Sequence, residues 1–151
     1  MQYERKAAMT RSTATLQMVL VNLIDLALLG KQAHWNVSGP RFRSVHLELD
    51  EVVEQLLAWQ DEVAERIAAQ GGSPDGRAST VAAMSTVAPV EFGPLRDTDV
   101  VQGFADRLAG LAALISSTFA DVQDDLVTQD ILVGIVGGLD KDAWLFRAQT
   151  V

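Results

Sequence analysis

The chain contains two histidines, both in the stretch KQAHWNVSGPRFRSVH at positions 31–46. Between His34 and His46 stands Ser-Gly-Pro, a combination that ends helices and forms turns. The sequence has no cysteine, so a transition metal bound here would depend on imidazole and carboxylate ligands. A metal site on these two histidines therefore needs acidic residues from elsewhere in the chain.

Four side chains of the segment after the turn fall on one stripe of a helix. His46 and Asp50 are spaced four residues apart, as are Asp61 and Glu65, and such pairs are neighbours on a helical face. At about 100° per residue, all four positions lie within roughly 100° of arc. No lysine or arginine occurs from Ser44 through Glu65, so this stripe repels itself unless a cation or a partner compensates its charge.

The distance between the two pairs excludes a single site within one chain. Their midpoints are fifteen residues apart, which is about 22 Å along a helix. If two copies of this helix pack antiparallel about a two-fold axis near Leu56, the first pair of one copy meets the second pair of the other. The spacing therefore predicts two equivalent sites per dimer, each at the subunit interface.

His34 fits the same intersubunit site. It is placed about one turn before the Ser-Gly-Pro reversal, and His46 follows the reversal by one to two turns. An antiparallel hairpin brings both imidazoles to a similar height. Taken singly, each residue is more often a packed or solvated side chain than a ligand, but together His34, His46 and Asp50, opposite Asp61 and Glu65 of the mate, form a set suited to iron, manganese or zinc.

Four long helices must position these residues. The first is apolar on most of its circumference, with Leu16, Val19 and Leu23 on its core face, and such a helix is buried on more than one side. The second ends near Gln70, before GGSPDG, and the third begins near Asp97. A kink between residues 124 and 128 leads into the fourth.

The connections between these helices define the fold class. Residues 77–96 contain Gly and Pro and predict a long crossover with one short helix near 78–85. A short first turn and a long second connection are typical of an all-α, ferritin-like four-helix bundle. We expect one such domain over residues 1–151, with residues 1–12 as a short N-terminal arm.

The charge and the hydropathy of the chain limit the kinds of partner that it can bind. The formal net charge is −8, which disfavours nucleic-acid binding through the body of the fold, because affinity for phosphate requires a cationic face. The apolar span from Leu16 to Leu29 is interrupted by Asn22 and Asp25 and is too short to cross a bilayer. With no recognisable leader, we expect a cytoplasmic protein that makes no membrane contact.

Three segments resemble the Dps proteins, DNA-binding proteins from starved cells that are also called miniferritins. They are AHWNVSGPRFRSVHLELDEV, DEVAERIAAQGGSPDG and DDLVTQDILVGIVGGLDKDAWLFRA (124–148), so the resemblance covers nearly the whole chain. It implies an intersubunit ferroxidase site on His34, His46 and Asp50 of one subunit with Asp61 and Glu65 of its two-fold mate, and all five are unaltered here. It also implies a dodecameric shell with 23 symmetry that oxidises ferrous iron, with hydrogen peroxide in preference to oxygen, and stores ferric mineral inside.

The resemblance carries further expectations for the iron site. We expect two irons per site, which deliver two electrons to one peroxide, with zinc as a substitute metal. Trp35, beside His34, resembles a tryptophan near the family's iron site. It either absorbs stray oxidising equivalents or contributes packing, and we favour packing.

Acidic channels at three-fold axes admit iron in this family, and they are lined from the junction before the fourth helix. Asp121, Asp125 and Asp130 are the candidates here, of which Asp130 aligns through TQDIL, while Leu126 occupies a position that is often acidic. Glu51 and Glu54 are candidates for mineral nucleation. Solubility of an exposed face explains those two glutamates equally well.

DNA binding is where the chain departs from the family name. Members that bind DNA commonly use a lysine-rich tail, but this N-terminus offers Arg5, Lys6 and Arg11 against Glu4, and the chain stops soon after the matched region. We therefore expect weak or absent DNA binding. A shell that acts mainly in DNA compaction, with little ferroxidase activity, is the alternative.

An ordinary di-iron enzyme with its site inside one bundle is the other alternative. Such sites use Glu-x-x-His pairs. The positions three residues before His34 and His46 hold Lys31 and Arg43, so this alternative is disfavoured.

Overall fold

The structure, a computed structural model, describes residues 10–151. Its elements in chain order are α1 (Arg11–Asn36), β1 (Val37–Ser38), α2 (Phe42–Ala69), α3 (Ala78–Met84), β2 (Leu95–Arg96), α4 (Asp97–Ser116) and α5 (Leu126–Arg147). The four long helices, the short turn after α1 and the long crossover containing α3 confirm the predicted helical bundle. The helix α1 begins at Arg11, so the last two residues assigned to the arm are helical.

The first helix is the most deeply packed element. Leu16, Val19, Leu23 and Leu26 are fully buried. With 26 residues and a mean hydropathy of 1.6 in its most apolar window, α1 is long enough to cross a membrane, which the shorter span considered in the sequence was not. However, 67% of that window is buried inside the bundle, as expected for a core helix.

Polar side chains on α1 hold the crossover against it. Gln17 and Asn22 are buried, and each uses its side-chain amide to bond backbone groups of the crossover, which satisfies polar atoms that would otherwise be costly to bury. The hydrogen-bonded pairs are Gln17 with Asp75, Asn22 with Thr86, and Asp25 with Ser85.

The other half of the core lies between α4 and α5. The rings of Phe104 and Phe146 are 6.1 Å apart, and both side chains are buried. Trp59 of α2 packs so closely on Gly138 of α5 that a Cβ atom there would overlap the indole ring.

The junction before α5 differs from the sequence expectation. The helix α4 ends at Ser116, and a 3₁₀ turn over Phe119–Val122 separates it from α5. The hydroxyls of Ser116, Ser117 and Thr118 all donate to carbonyls of the preceding turn. Such bonds compete with helix propagation, which explains why α4 stops before the region around Asp124.

A short parallel pairing was not predicted. Val37 lies opposite Leu95, and Ser38 opposite Arg96. Two residues are too few to produce the alternation that identifies a strand. The pairing ties the turn after α1 to the start of α4.

Candidate metal centre

The two histidines lie face to face across the α1–α2 turn, as the hairpin argument predicts. Their ring centroids are 3.6 Å apart and the planes differ by 13°. Nδ1 of His34 is 2.7 Å from the carbonyl oxygen of His46, and Nδ1 of His46 is 2.8 Å from the carbonyl oxygen of His34. Each ring is therefore fixed by the backbone of the other residue.

This reciprocal pairing selects the nitrogen available to a metal. A carbonyl oxygen only accepts hydrogen bonds, so Nδ1 of each ring carries the proton. In neutral imidazole the other nitrogen, Nε2, then has the free electron pair. Backbone bonds of this type orient metal-ligating histidines and fix their tautomer.

Asp97 at the start of α4 holds the turn that leads into α2, the helix that carries His46. Its carboxylate is buried and accepts a hydrogen bond of 2.7 Å from the backbone amide of Arg41. The same carboxylate packs against Gly39, whose φ of 126° and lack of a side chain suit the tight reversal. The His46 ring also packs against the ring of Phe42, at 4.9 Å between centroids.

Asp50 lies one turn beyond His46 on α2 and joins the histidines. Its Oδ1 is 3.5 Å from Nδ1 of His34 and 2.7 Å from Nζ of Lys31 on α1. The hydrogen bond from Lys31 lowers the pKa of Asp50 despite an opposing effect of desolvation, and His34 lowers it further. The carboxylate is thus ionised at neutral pH and ready to bind a cation.

Asp61 and Glu65 do not join this cluster within one chain. Both are exposed on α2, which is continuous from Phe42 to Ala69, so the pairs remain about 22 Å apart. Within residues 10–151, no three His, Asp or Glu side chains converge closely enough to hold a metal ion. A single chain therefore presents the two halves of the predicted ligand set separately.

An apolar groove between α1 and α2 adjoins Asp50. It encloses about 530 Å³ and exposes Leu28 (60%) and Leu57 (53%). Leu56, the residue placed near the two-fold axis from the sequence, is fully buried in the core. Its neighbour Leu57 is the large apolar side chain that is exposed at that height of α2.

Trp35 is the most exposed tryptophan of the chain, with 68% of its surface accessible. It is therefore not packed within its own subunit, and a packing role would require a neighbouring subunit. Its ring centre is 5.9 Å from Nζ of Lys31.

The pore candidates occupy different environments. Asp121 and Asp130 are exposed, and Asp121 makes a 3.8 Å ion pair with Arg11. Asp125 caps α5, pairs with Arg66 at 2.8 Å and accepts bonds from Gln70 and Thr128. Burial alone would raise the pKa of Asp125, but these hydrogen bonds outweigh it and hold the pKa well below its usual range.

The nucleation candidates Glu51 and Glu54 lie in different places. Glu54 lines the groove beside Asp50. Glu51 instead lies near Glu48 of α2 and Asp142 of α5. Desolvation raises the pKa of Glu48 and the pKa of Asp142, and the negative charge of Glu51 raises both values further.

Two features of these sites could not be found from motif spacing. The Lys31–Asp50 ion pair and the approach of Glu48 to Asp142 both join different helices. Sequence spacing reports neighbours only along one helix.

The arm residues Glu4, Arg5 and Lys6 lie outside the described residues.

Comparison with known proteins identifies the family of folds to which this bundle belongs. Residues 13–151 match the ferritin family, described as a ferritin-like domain. The crystal structure of Dps92 from Deinococcus radiodurans superposes with a TM-score of 0.89 at 35% identity, covering 91% of this chain and 84% of that one. Dps from Microbacterium arborescens in the high iron form gives 0.87 at 31% identity, covering 94% and 98%. The bundle is therefore a ferritin-like one.

Relatives identified by sequence similarity show which family of ferritin-like proteins the chain belongs to. DNA protection during starvation protein from Mycolicibacterium smegmatis is 38% identical over 141 residues, which cover 88% of this chain and 73% of that protein. DNA protection during starvation protein 2 of Deinococcus radiodurans is 35% identical over 91% of this chain, which spans 58% of the length of that relative. The chain belongs to the Dps family, which confirms the resemblance seen in its sequence.

Proposed function

We propose that this protein detoxifies and stores iron, and that it oxidises ferrous iron at sites shared between two subunits. The observation that carries the proposal is the split ligand set. The α1–α2 turn places His34 against His46 and near Asp50, whereas Asp61 and Glu65 lie far along the same continuous helix. Membership of a ferritin-like family supports iron as the metal.

The ligand chemistry supports oxidation of iron. Carboxylates are hard ligands that favour the ferric over the ferrous state, and imidazole binds iron and zinc well. Two ferrous ions supply the two electrons that reduce one hydrogen peroxide to two hydroxide ions. Iron is the substrate of this reaction, oxygen is the alternative oxidant, and zinc is a competitor for the same ligands.

The proposed assembly is a hollow dodecamer with 23 symmetry, whose basic unit is the two-fold dimer. The exposed Leu28 and Leu57 beside Asp50 support a dimer contact at this groove, because apolar patches on a folded chain commonly mark interfaces. Within the shell, Asp130 is proposed to line the iron-entry channel. Glu51, near Glu48 and Asp142, remains a candidate for mineral nucleation.

We further propose a cytoplasmic protein that binds DNA weakly or not at all. The net charge of −8 per chain is multiplied by assembly, and like charge repels the phosphate backbone. An electrophoretic mobility assay at physiological salt measures this directly. A clear shift at submicromolar shell would contradict the proposal and favour DNA compaction.

Complementation between two inactive variants tests the shared site. Both His46→Ala with Asp50→Ala and Asp61→Ala with Glu65→Ala are expected to abolish peroxide-driven oxidation in anaerobically loaded, assembled shells. When the two are co-expressed, half of randomly formed dimers are mixed, and each mixed dimer contains one intact site. About a quarter of the wild-type rate should therefore return, an estimate that follows from the isologous geometry.

A site confined to one chain predicts a different result. Neither variant would then regain activity on mixing, because each chain would lack its own ligands. The matched control is Glu62→Ala, which removes an exposed carboxylate beside Asp61 and should leave the rate unchanged. Size-exclusion chromatography of every variant verifies the shell.

A further inference from the structure

An open cavity of about 440 Å³ lies between α1, the crossover and α4. Its wall is mainly apolar and includes the side chains of Val87, Leu111 and Leu114. A volume of this size is within the range of small-molecule sites in proteins. The proposed metal ligands, all of which the structure describes, do not line it, so the cavity is separate from the metal centre.

The guanidinium group of Arg107 on α4 forms one side of this cavity. Its Nε donates to the carbonyl oxygen of Ala88 at 2.8 Å, and Nη2 donates to the carbonyl oxygen of Pro89. The guanidinium carbon is 5.4 Å from the centre of the Phe104 ring. Gly103 leaves room for this arrangement, because a Cβ atom there would be 2.7 Å from Nη1 of Arg107.

The positive charge of Arg107 is not neutralised by a contact. Among residues 10–151, no carboxylate forms an ion pair with it. Desolvation lowers the pKa of Arg107, and the charge of Asp106 opposes this effect only in part. Charged groups that are removed from water are usually paired, and a guanidinium has five N–H groups to donate. The half-buried Arg107 therefore has donors left for an anion.

The surrounding carboxylates limit the charge of that anion. Asp106, which also lines the cavity, is exposed and accepts a hydrogen bond of 3.0 Å from Gln102. Its negative charge would repel a second negative charge on a ligand. Glu91 and Asp99 line a smaller cavity on which Arg107 also borders, and their charges disfavour an anion there. The larger cavity is thus suited to a ligand with a single negative charge.

We propose that this cavity binds a small organic monoanion whose charge is carried on an apolar body, such as an aromatic carboxylate. The anionic group accepts hydrogen bonds from Arg107, and the apolar body lies against Val87, Leu111 and Leu114. The site adds a ligand-binding function to the shell that does not depend on the proposed iron chemistry.

Isothermal titration of the assembled shell with 2-naphthoate and with 2-naphthamide tests this site. The two probes have nearly the same shape and differ in charge. We expect one 2-naphthoate per subunit, bound at least about tenfold more tightly than the amide, because hydrogen bonds between charged groups are about twice as strong as neutral ones. Arg107→Gln should remove that preference, whereas Asp106→Asn should strengthen the binding of 2-naphthoate.

A second variant tests the cavity without altering Arg107. Gly110 lines the cavity and has open space around it, so the ring added by Gly110→Phe should fill the cavity and abolish binding of both probes. Gly110→Ala adds only a methyl group and is the matched control, which should bind as wild type does. This variant decides the question even if Arg107→Gln fails to assemble.

Several results would overturn the proposal. They are the absence of binding to wild type, equal affinities for the two probes, a preference for the anion that persists in Arg107→Gln, and binding that survives in Gly110→Phe. The double variant His46→Ala with Asp50→Ala should bind 2-naphthoate as wild type does. Loss of binding in that variant would place the probe at the metal centre and would also contradict the proposal, whereas retained binding would leave the iron function to be tested on its own.

Discussion

The turn that leads into α2, ahead of His46, depends on one buried carboxylate, and removal of that carboxylate is the most direct test of the local structure. Asp97 accepts hydrogen bonds from the backbone amides of Arg41 at 2.7 Å and Thr98 at 2.8 Å. Its side chain is only 7% exposed. Asp97→Ala deletes both acceptors and leaves the Arg41 amide without one.

The expected cost follows from these two bonds. Hydrogen bonds to a charged group contribute about 1.5–3 kcal/mol each, so Asp97→Ala should lower the free energy of unfolding by about 3 kcal/mol or more. For a chain of this length that corresponds to a decrease in Tm of roughly 6–12 °C. Asp97→Asn retains one oxygen acceptor and should fall between the alanine variant and wild type.

Calorimetry at two protein concentrations measures the effect, because the apparent stability of an oligomer depends on concentration. Asp99→Ala is the matched control, since Asp99 is exposed in the same first turn of α4. It loses only a favourable helix-dipole interaction of about 0.3–1 kcal/mol. If Asp97→Ala were no more destabilising than Asp99→Ala, the buried carboxylate would not hold the turn.

Features of α5 and of the turn before it give further predictions. The Cβ atom added by Gly138→Ala would overlap the indole ring of Trp59, so this variant should destabilise the chain by about 1–3 kcal/mol. Gly134 has open space around it, so Gly134→Ala should be neutral or stabilising in thermal melts. The depressed pKa of Asp125 stabilises the fold fully above its ordinary value of about 3.9. That contribution is lost progressively as pH falls below about 4, so the urea midpoints of wild type and Asp125→Asn should draw together as the pH is lowered, and a constant difference would contradict the pairing. Asp130→Asn should slow ferrous uptake by the shell several-fold at neutral pH, whereas Asp125→Asn should not, and equal slowing would refute the distinction.

The fold could be predicted where apolar residues recur at helical spacing. Phe104, Leu108 and Ile115 are all buried, as their spacing indicates, and the crossover helix lies within one residue of its predicted span. Prediction failed where local hydrogen bonds decide the outcome. The hydroxyls after Ala112 stop α4 early, and residue types alone do not reveal which carbonyl a hydroxyl will choose.

The ligand residues of the candidate site could be predicted from the sequence to the extent that they lie on one helix. Spacing along α2 placed His46 and Asp50 on one face, and the turn brought His34 to them. Contacts between residues on different helices could not be predicted from the sequence. Asp125 was considered for a pore, yet its partner Arg66 lies on another helix, and the pairing becomes visible only when α2 and α5 are side by side.

The polar bonds between α1 and the crossover have a consequence for the metal ligands at the far end of the helix. An apolar helix can slide along its neighbours by one turn, about 5.4 Å, and keep much of its burial. Asn22 cannot follow such a slide without losing Thr86. The same movement would carry His34 out of reach of His46. Gln17 and Asn22 therefore fix the register of α1, and with it the height of an imidazole about 18 Å from Asn22 along the helix.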